Sequence, residues 1–315
     1  MQETISKTKI GVIGAGSWAT AIMKMLCYNV DCVNWFVRNE QVAKHLNLYG
    51  HNPSYLSAVV FDKEKINIQT DVTETIKQSD VLIIATPAAF LCKLFEDVDA
   101  TLLKDKIVFS AVKGMIPEYH AIPARFIHKS FRTPYENIGI ISGPCHAEEV
   151  ALERLSYLTL ACSKQENAEL MAQLLACRFI KTSVSDDIFG TELSAVLKNI
   201  FAVAAGICHG LGYGDNFQAV LVSNAIQEIE RFVDAVHPIH RDVKSSAYLG
   251  DLLVTAYSQF SRNRTFGNMI GKGYSVRSAQ MEMNMVAEGY FAVKSVVEVN
   301  KKFKVDMPIT DAVFR

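Results

Sequence analysis

The chain has 315 residues, half of them hydrophobic, and its charges nearly cancel at a formal net charge of -1. That balance gives no global attraction to nucleic acid or to an anionic membrane surface, so neither is an expected partner, and any anion site has to be built locally. At roughly 100–200 residues per domain, the length predicts two domains.

Seven cysteines (Cys27, Cys32, Cys92, Cys145, Cys162, Cys177 and Cys208) form no CxxC pair and no His/Cys cluster with metal-ligand spacing. Most lie in apolar runs, where a free thiol behaves as a small hydrophobe, so a reducing compartment is expected. Met1 to Lys9 is short and polar and has no apolar core of a secretory signal. No uninterrupted apolar run reaches the ~18 residues expected of a membrane span. The expected location is the cytoplasm. The histidines show neither HxH nor HExxH spacing, and no metal is expected.

In chain order, apolar runs at Ile10–Ile13, Val33–Val37, Val81–Ala85, Ile107–Val112, Ile138–Ile141, Tyr157–Cys162 and Phe179–Val184 read as strands. Most are rich in Val and Ile, and several end at Gly or Pro, the pattern of strands buried on both faces. Helical stretches between them predict βαβ units and a parallel sheet. After Asp187 the pattern changes: Leu193–Cys208, Phe217–Val236, Asp242–Phe260 and Ser278–Phe303 read as helices. The predicted fold class is α/β. A Rossmann-like, doubly wound sheet fills residues 1–187 as a dinucleotide-binding domain, and residues 188–315 form an all-helical substrate and catalytic domain.

The first strand runs into Gly14-Ala15-Gly16-Ser17-Trp18-Ala19, a GxGxxA form of the dinucleotide fingerprint, followed by a helix over Thr20–Cys27. Gly14 permits the tight turn, Gly16 lets a pyrophosphate approach the backbone, and Ala19 is small enough for close helix–strand packing. The helix start adds free N–H groups and the positive end of a dipole. The second strand ends at Val37-Arg38-Asn39 with no acidic residue to hold a ribose 2′-hydroxyl. Arg38 suits a 2′-phosphate, which favours NADP, or tolerance of both NADP and NAD; a solvated Arg at a helix start is the plain alternative. Lys113-Gly114, Thr86-Pro87 and Gly143-Pro144 end other strands, where α/β sheets collect their ligands.

Within the apolar helix Leu193–Gly206, Lys198 and Asn199 stand alone as a polar centre, and Glu192 shares a helix face with Asn199. A buried Lys has a lowered pKa suited to proton transfer near neutrality; a Lys that snorkels to water fits the segment equally well. Ser261-Arg262-Asn263-Arg264-Thr265 is a second polar island, expected at the end of the helix that starts near Asp242. It suits a phosphate, and equally a solvated helix end. Asp251, expected inside that same helix, needs a cationic or hydrogen-bonding partner.

These islands, in this order, resemble the NAD(P)-dependent glycerol-3-phosphate dehydrogenase family of bacterial type. The resemblance rests on Gly14-Ala15-Gly16-Ser17-Trp18, Asn52-Pro53-Ser54-Tyr55-Leu56, Lys113-Gly114, and Ser142-Gly143-Pro144 with Ala147 and Glu149. It continues through Glu192-Leu193, Leu197-Lys198-Asn199, Gly206 with Gly210-Leu211-Gly212, and Gly250-Asp251-Leu252. Ser261-Arg262-Asn263-Arg264, Glu288-Gly289 and Met307-Pro308-Ile309-Thr310 complete it. The resemblance implies hydride transfer between NAD(P)H and dihydroxyacetone phosphate to give glycerol 3-phosphate for phospholipid synthesis, and a homodimer. It implies Lys198 as the general acid/base. Lys113, Gly143, Cys145, Asn199, Asp251, Ser261, Arg262 and Asn263 are implied at the substrate. Gly14, Gly16, Ser17, Trp18, Arg38, Lys113, Ala147, Arg262, Val286 and Glu288 are implied at the cofactor. Cys145, His146 and Glu148 stand where the family commonly has a small hydroxyl residue, an aromatic and a basic residue.

Two other functions compete. A β-hydroxyacid or 6-phosphogluconate type of dehydrogenase resembles this layout but carries Lys-x-x-Asn, whereas Lys198 and Asn199 are adjacent. A non-catalytic NADP-binding redox sensor has no need for either polar island.

Overall fold

The computed structural model describes residues 5–283 and 287–315. The chain forms two compact units, one from Met1–Val112 with Pro123–Ile188, the other from Lys113–Ile122 with Phe189–Arg315.

The first unit is built on eight strands: β1 (Ile10–Ile13), β2 (Val33–Phe36), β3 (Ile66–Gln69), β4 (Val81–Ile84), β5 (Ile107–Ser110), β6 (Ile138–Ser142), β7 (Ser156–Cys162) and β8 (Ile180–Ser185). Their order across the sheet is β3-β2-β1-β4-β5-β6-β7-β8. β1 pairs in parallel with β2 and with β4, so the winding reverses direction between β1 and β4, where open α/β sheets bind their ligands. Both strands are sequestered: Ile10, Val12, Ile13, Leu82, Ile83 and Ile84 are fully buried. Among the described residues, the helices named in this unit are α1 (Ser17–Leu26), α2 (Glu40–Tyr49), α3 (Val72–Lys77), α4 (Leu91–Leu94), α5 (Pro123–Phe131), α6 (Ala147–Ala151) and α7 (Gln165–Leu175).

Two features depart from the predicted parallel sheet. β3 went unread because it is an edge strand with a polar sequence, Ile66-Asn67-Ile68-Gln69, and only Ile66 is fully buried. β7 runs antiparallel to β6. The link between them contains the five-residue helix α6. Such a helix rises about 7.5 Å, short of the roughly 17 Å that a five-residue strand climbs. The chain therefore returns beside β6 in the opposite direction.

The second unit is helical: α8 (Ile188–Gly210, whose first residue closes the first unit), α9 (Asp215–Val236), α10 (Asp251–Tyr257), α11 (Arg262–Gly271), α12 (Val276–Glu282), α13 (Glu288–Phe303) and α14 (Pro308–Phe314). By length and composition α8 could cross a membrane, yet 78% of its apolar window is buried inside the protein, as expected of a core helix. The helix expected over Asp242–Phe260 is shorter at both ends. Asp242 accepts from Lys244 N in a local turn, Ser246–Gly250 forms one wide π turn, and that turn runs through a helical Gly250 (φ -61°, ψ -47°) straight into α10. Asp251 thus lies inside one helical run, at the point where the π turn gives way to α-helix. The Ser-Arg-Asn-Arg island begins the next helix: Ser261 caps α11 by accepting from Arg264 N at 3.3 Å. The helix expected over Ser278–Phe303 is two helices, α12 and α13.

Close backbone contacts set the helices of this unit. A methyl group at Gly206 would lie 2.1 Å from the Arg264 carbonyl oxygen, and one at Gly267 2.1 Å from that of Val203. Only glycine lets α8 and α11 approach this far, and the approach fixes where α11 begins. Glu228, fully buried on α9, accepts from Ile309 N, Thr310 N and the Thr310 hydroxyl. Its carboxylate caps the start of α14, a structural reason for Met307-Pro308-Ile309-Thr310.

Candidate active site

In the first unit, the glycine loop sits where the winding reverses. Gly14 has φ +132°, and a methyl there would lie 2.6 Å from the Ala85 carbonyl oxygen at the end of β4. Trp35 Nε1, on β2, donates to Gly14 O at 2.7 Å, and Thr86 Oγ1 donates to Ile13 O at 3.1 Å. Gly16 caps α1 without a side-chain hydrogen bond, no acid occupies the first turn, and a methyl at Gly16 would meet nothing within 4 Å. The opening turn of Ser17 and Trp18 therefore presents amide donors and a helix dipole to open space. That fits a pyrophosphate, so the residues present suit a dinucleotide.

The sequence reading gave no role to two residues here, Asn52 at the glycine loop and Phe90 at Arg38. Asn52 donates through Nδ2 to Ala15 O and to Thr20 Oγ1, both at 3.0 Å, while its Oδ1 accepts from Ser54 N and Tyr55 N. The Asn-Pro-Ser-Tyr-Leu segment is thus a brace for the glycine loop. Phe90, after β4, lies under the Arg38 guanidinium at 5.9 Å. Arg38 is exposed beyond β2, beside the Asn39 cap of α2. Gly143, with φ +113°, ends β6, and Cys145 and Ala147 follow it, both buried.

In the second unit, three charged side chains meet. Lys198 is 3% exposed and Asp251 is 2% exposed, and Lys198 Nζ pairs with Asp251 Oδ1. Lys113 Nζ lies 3.8 Å from Asp251 Oδ2. Burial pushes the Lys198 ammonium down to about 7; Asp251 opposes that shift, and the Lys113 charge adds to it. Of the two readings of this lysine, the buried one holds. Two cations against one carboxylate leave a local surplus of positive charge in a chain that is nearly neutral overall, as an anionic substrate requires.

Neighbouring groups extend this centre. Asn199 Nδ2 donates to Lys113 O at 2.8 Å. A methyl at Gly289 would lie 2.3 Å from the Asn199 carbonyl oxygen, so α13 starts against α8 at that residue. Asn263 Oδ1 accepts from Gly289 N at 2.9 Å, which ties the start of α11 to the start of α13. Glu288 is half-buried; burial pushes its carboxyl up, and Arg262 pulls it down. Arg262 itself is exposed. The structure thus joins Lys113, Lys198, Asn199, Asp251, Asn263, Arg262 and Glu288 in one set, with Ser261 as the α11 cap. Gly14, Gly16, Ser17, Trp18, Arg38, Gly143, Cys145 and Ala147 belong to the other unit. Val286 lies outside the described residues. Among the described residues, no group of three or more His, Cys, Asp or Glu side chains is placed to hold a metal ion.

Comparison with known proteins agrees with both halves. Residues 9–168 match the model of the NAD-dependent glycerol-3-phosphate dehydrogenase N-terminus, and residues 187–315 match that of its C-terminus. The chain belongs to the NAD-dependent glycerol-3-phosphate dehydrogenase family. It is 33% identical to glycerol-3-phosphate dehydrogenase [NAD(P)+] of Staphylococcus carnosus, over 98% of this chain and 92% of that protein. The enzyme of the same name from Limosilactobacillus reuteri is also 33% identical, over the same shares of both chains. Among solved structures, glycerol-3-phosphate dehydrogenase from Coxiella burnetii superposes with a TM-score of 0.88 at 26% identity, covering 98% of this chain and 94% of that one. Family membership resolves the choice among the competing functions in favour of this dehydrogenase over the β-hydroxyacid type. The adjacent Lys198-Asn199 pair had pointed the same way.

Proposed function

We propose that this protein interconverts dihydroxyacetone phosphate and glycerol 3-phosphate with NADPH or NADH, in the cytoplasm, and supplies glycerol 3-phosphate for phospholipid synthesis. The observation that carries the reading is Lys198: a buried ammonium brought down to about 7, paired with Asp251 and adjacent to Lys113. Residues 1–187 bind the dinucleotide through Gly14, Gly16, Ser17, Trp18, Arg38 and Ala147. Residues 188–315, with Lys113, hold and protonate the substrate.

The bound nicotinamide supplies the hydride, and the protein supplies position, charge and a proton. Lys198 gives its Nζ proton to the oxygen that becomes the new hydroxyl, and takes it back in the reverse direction. A group poised near pH 7 performs both halves. Asp251 keeps the ammonium charged and aimed. Lys113 and Asn199 orient the reacting end of the substrate. Ser261, Arg262 and Asn263, at the start of the ten-residue helix α11, hold the phosphate. Asn263 spends its Oδ1 on Gly289 and keeps its Nδ2 donors for the phosphate. The family resemblance also assigns Lys113, Arg262 and Glu288 to the cofactor.

A homodimer is part of this proposal. Its support is an exposed apolar group at the end of α8 and the start of α9, namely Leu211, Tyr213, Phe217 and Val220. This group leads into an apolar groove of about 540 Å³ lined by α8, α9 and α14.

Lys198→Ala should reduce turnover by about 10²–10⁴-fold while NADPH still binds, as followed by steady-state kinetics and by titration of NADPH fluorescence. Turnover like that of the parent protein would remove Lys198 from the mechanism. Arg38→Ala should weaken NADPH more than NADH, because its fork pairs with the 2′-phosphate; equal weakening of both would exclude that role. Sedimentation velocity should give one species at twice the 35.0 kDa chain mass, and Val220→Glu should shift it to a single chain. A concentration-independent monomer would refute the dimer.

A further inference from the structure

Lys113 is reached by an unusual path. The segment Lys113–Ile122 groups with the helical unit, although the chain on both sides of it belongs to the sheet unit. Something in the helical unit must therefore seat it. At its start, Asn199 on α8 holds the Lys113 carbonyl. At its far end is a tight turn, closed by Ile116 N to Ala121 O at 2.8 Å and Ala121 N to Ile116 O at 3.4 Å. The last residue of that turn, His120, has φ +44°. Its Nδ1 lies 3.1 Å from the hydroxyl of Ser295, a residue buried on α13.

The left-handed conformation is unfavourable for a residue with a side chain and carries no such cost for glycine. A side chain kept at such a position calls for an explanation, and the Ser295 bond offers one. The circuit it completes includes the active site. α13 starts at Glu288-Gly289, where Gly289 presses on Asn199 and is held by Asn263. Ser295 lies further along the same helix. So one helix, α13, is fixed against α8 beside Asn199 and also grips the far end of the segment whose first residue is Lys113. Without the His120 bond, the loop between the two anchors loses that tie to α13.

We propose that His120 is a positioning residue: by bonding Ser295 it holds the Lys113–Ile122 segment on α13 and so sets where the Lys113 ammonium stands beside Asp251. This rests on the reading of Lys113 as a substrate-binding residue.

The test compares His120→Gly, His120→Asn, Ser295→Ala and Lys113→Ala, and the double variant His120→Gly/Lys113→Ala, by steady-state kinetics with dihydroxyacetone phosphate and by thermal melting. His120→Gly relieves the backbone, so its melting temperature should not fall. A charged group displaced by a fraction of an ångström weakens its hold on the reacting molecule, so KM for dihydroxyacetone phosphate should rise about 3–10-fold. Ser295→Ala should match it. His120→Asn, which tolerates the left-handed backbone and retains a hydrogen-bonding side chain, should recover most of the loss. In the Lys113→Ala background, His120→Gly should have no further effect. An unchanged KM in His120→Gly, or a full effect that persists without the Lys113 side chain, would overturn the proposal. If Lys113→Ala itself leaves KM unchanged, the substrate-binding reading of Lys113 fails, a result distinct from either of these.

Discussion

The pairing of Lys198 with Asp251 is the interaction on which the rest of the site depends. An ammonium buried in an apolar helix is tolerated only with a partner, and removing one member of a buried pair costs about 3–5 kcal/mol. Asp251 stands buried where the wide Ser246–Gly250 π turn gives way to α-helix. The same carboxylate also faces Lys113, so a single buried acid organises two cations. Burial and pairing oppose one another, and their balance leaves the lysine near 7, where it can both give and take a proton.

Around this centre the fold works by close backbone approach. Gly206 and Gly267 let α8 and α11 touch, and Gly289 lets α13 begin against Asn199. Each contact fixes the start of a helix, and helix starts are where Arg262, Asn263 and Glu288 are placed. In the sheet unit the same economy holds: Gly14 abuts Ala85, while Asn52 and Trp35 secure the loop carbonyls and leave the amides of α1 facing open space.

Much of this was legible in the sequence. Six of the seven apolar runs became largely buried strands, as their apolar sequences imply, whereas β8 is an edge strand in which only Ile180 is buried. Lys198-Asn199 was visible as a polar centre in an apolar helix, although the segment alone left burial and snorkelling open. What was hidden depended on contacts distant in sequence. β3 is a polar edge strand whose pairing with β2 supplies the order its pattern lacks. The antiparallel turn of β7 follows from the shortness of α6. The late start of the helical run that carries Asp251, and the start of α11 at Ser261, follow local turns made by Asp242 and Ser258, which a count of apolar residues does not register. Asn52, Phe90 and His120 carried no periodic signal, since each acts through particular partners brought to it by the fold.

The most direct test of the account is the pH dependence of kcat/KM for dihydroxyacetone phosphate reduction at saturating NADPH, in the parent protein and in Asp251→Asn. Reduction requires the protonated Lys198, so the rate should hold at low pH and fall about tenfold per pH unit above about 7. Asp251 raises the Lys198 pKa, so Asp251→Asn should move the fall to lower pH. A profile that stays flat from about pH 6 to 9, or a fall that moves to higher pH in Asp251→Asn, would contradict a proton held on Lys198 by burial and Asp251.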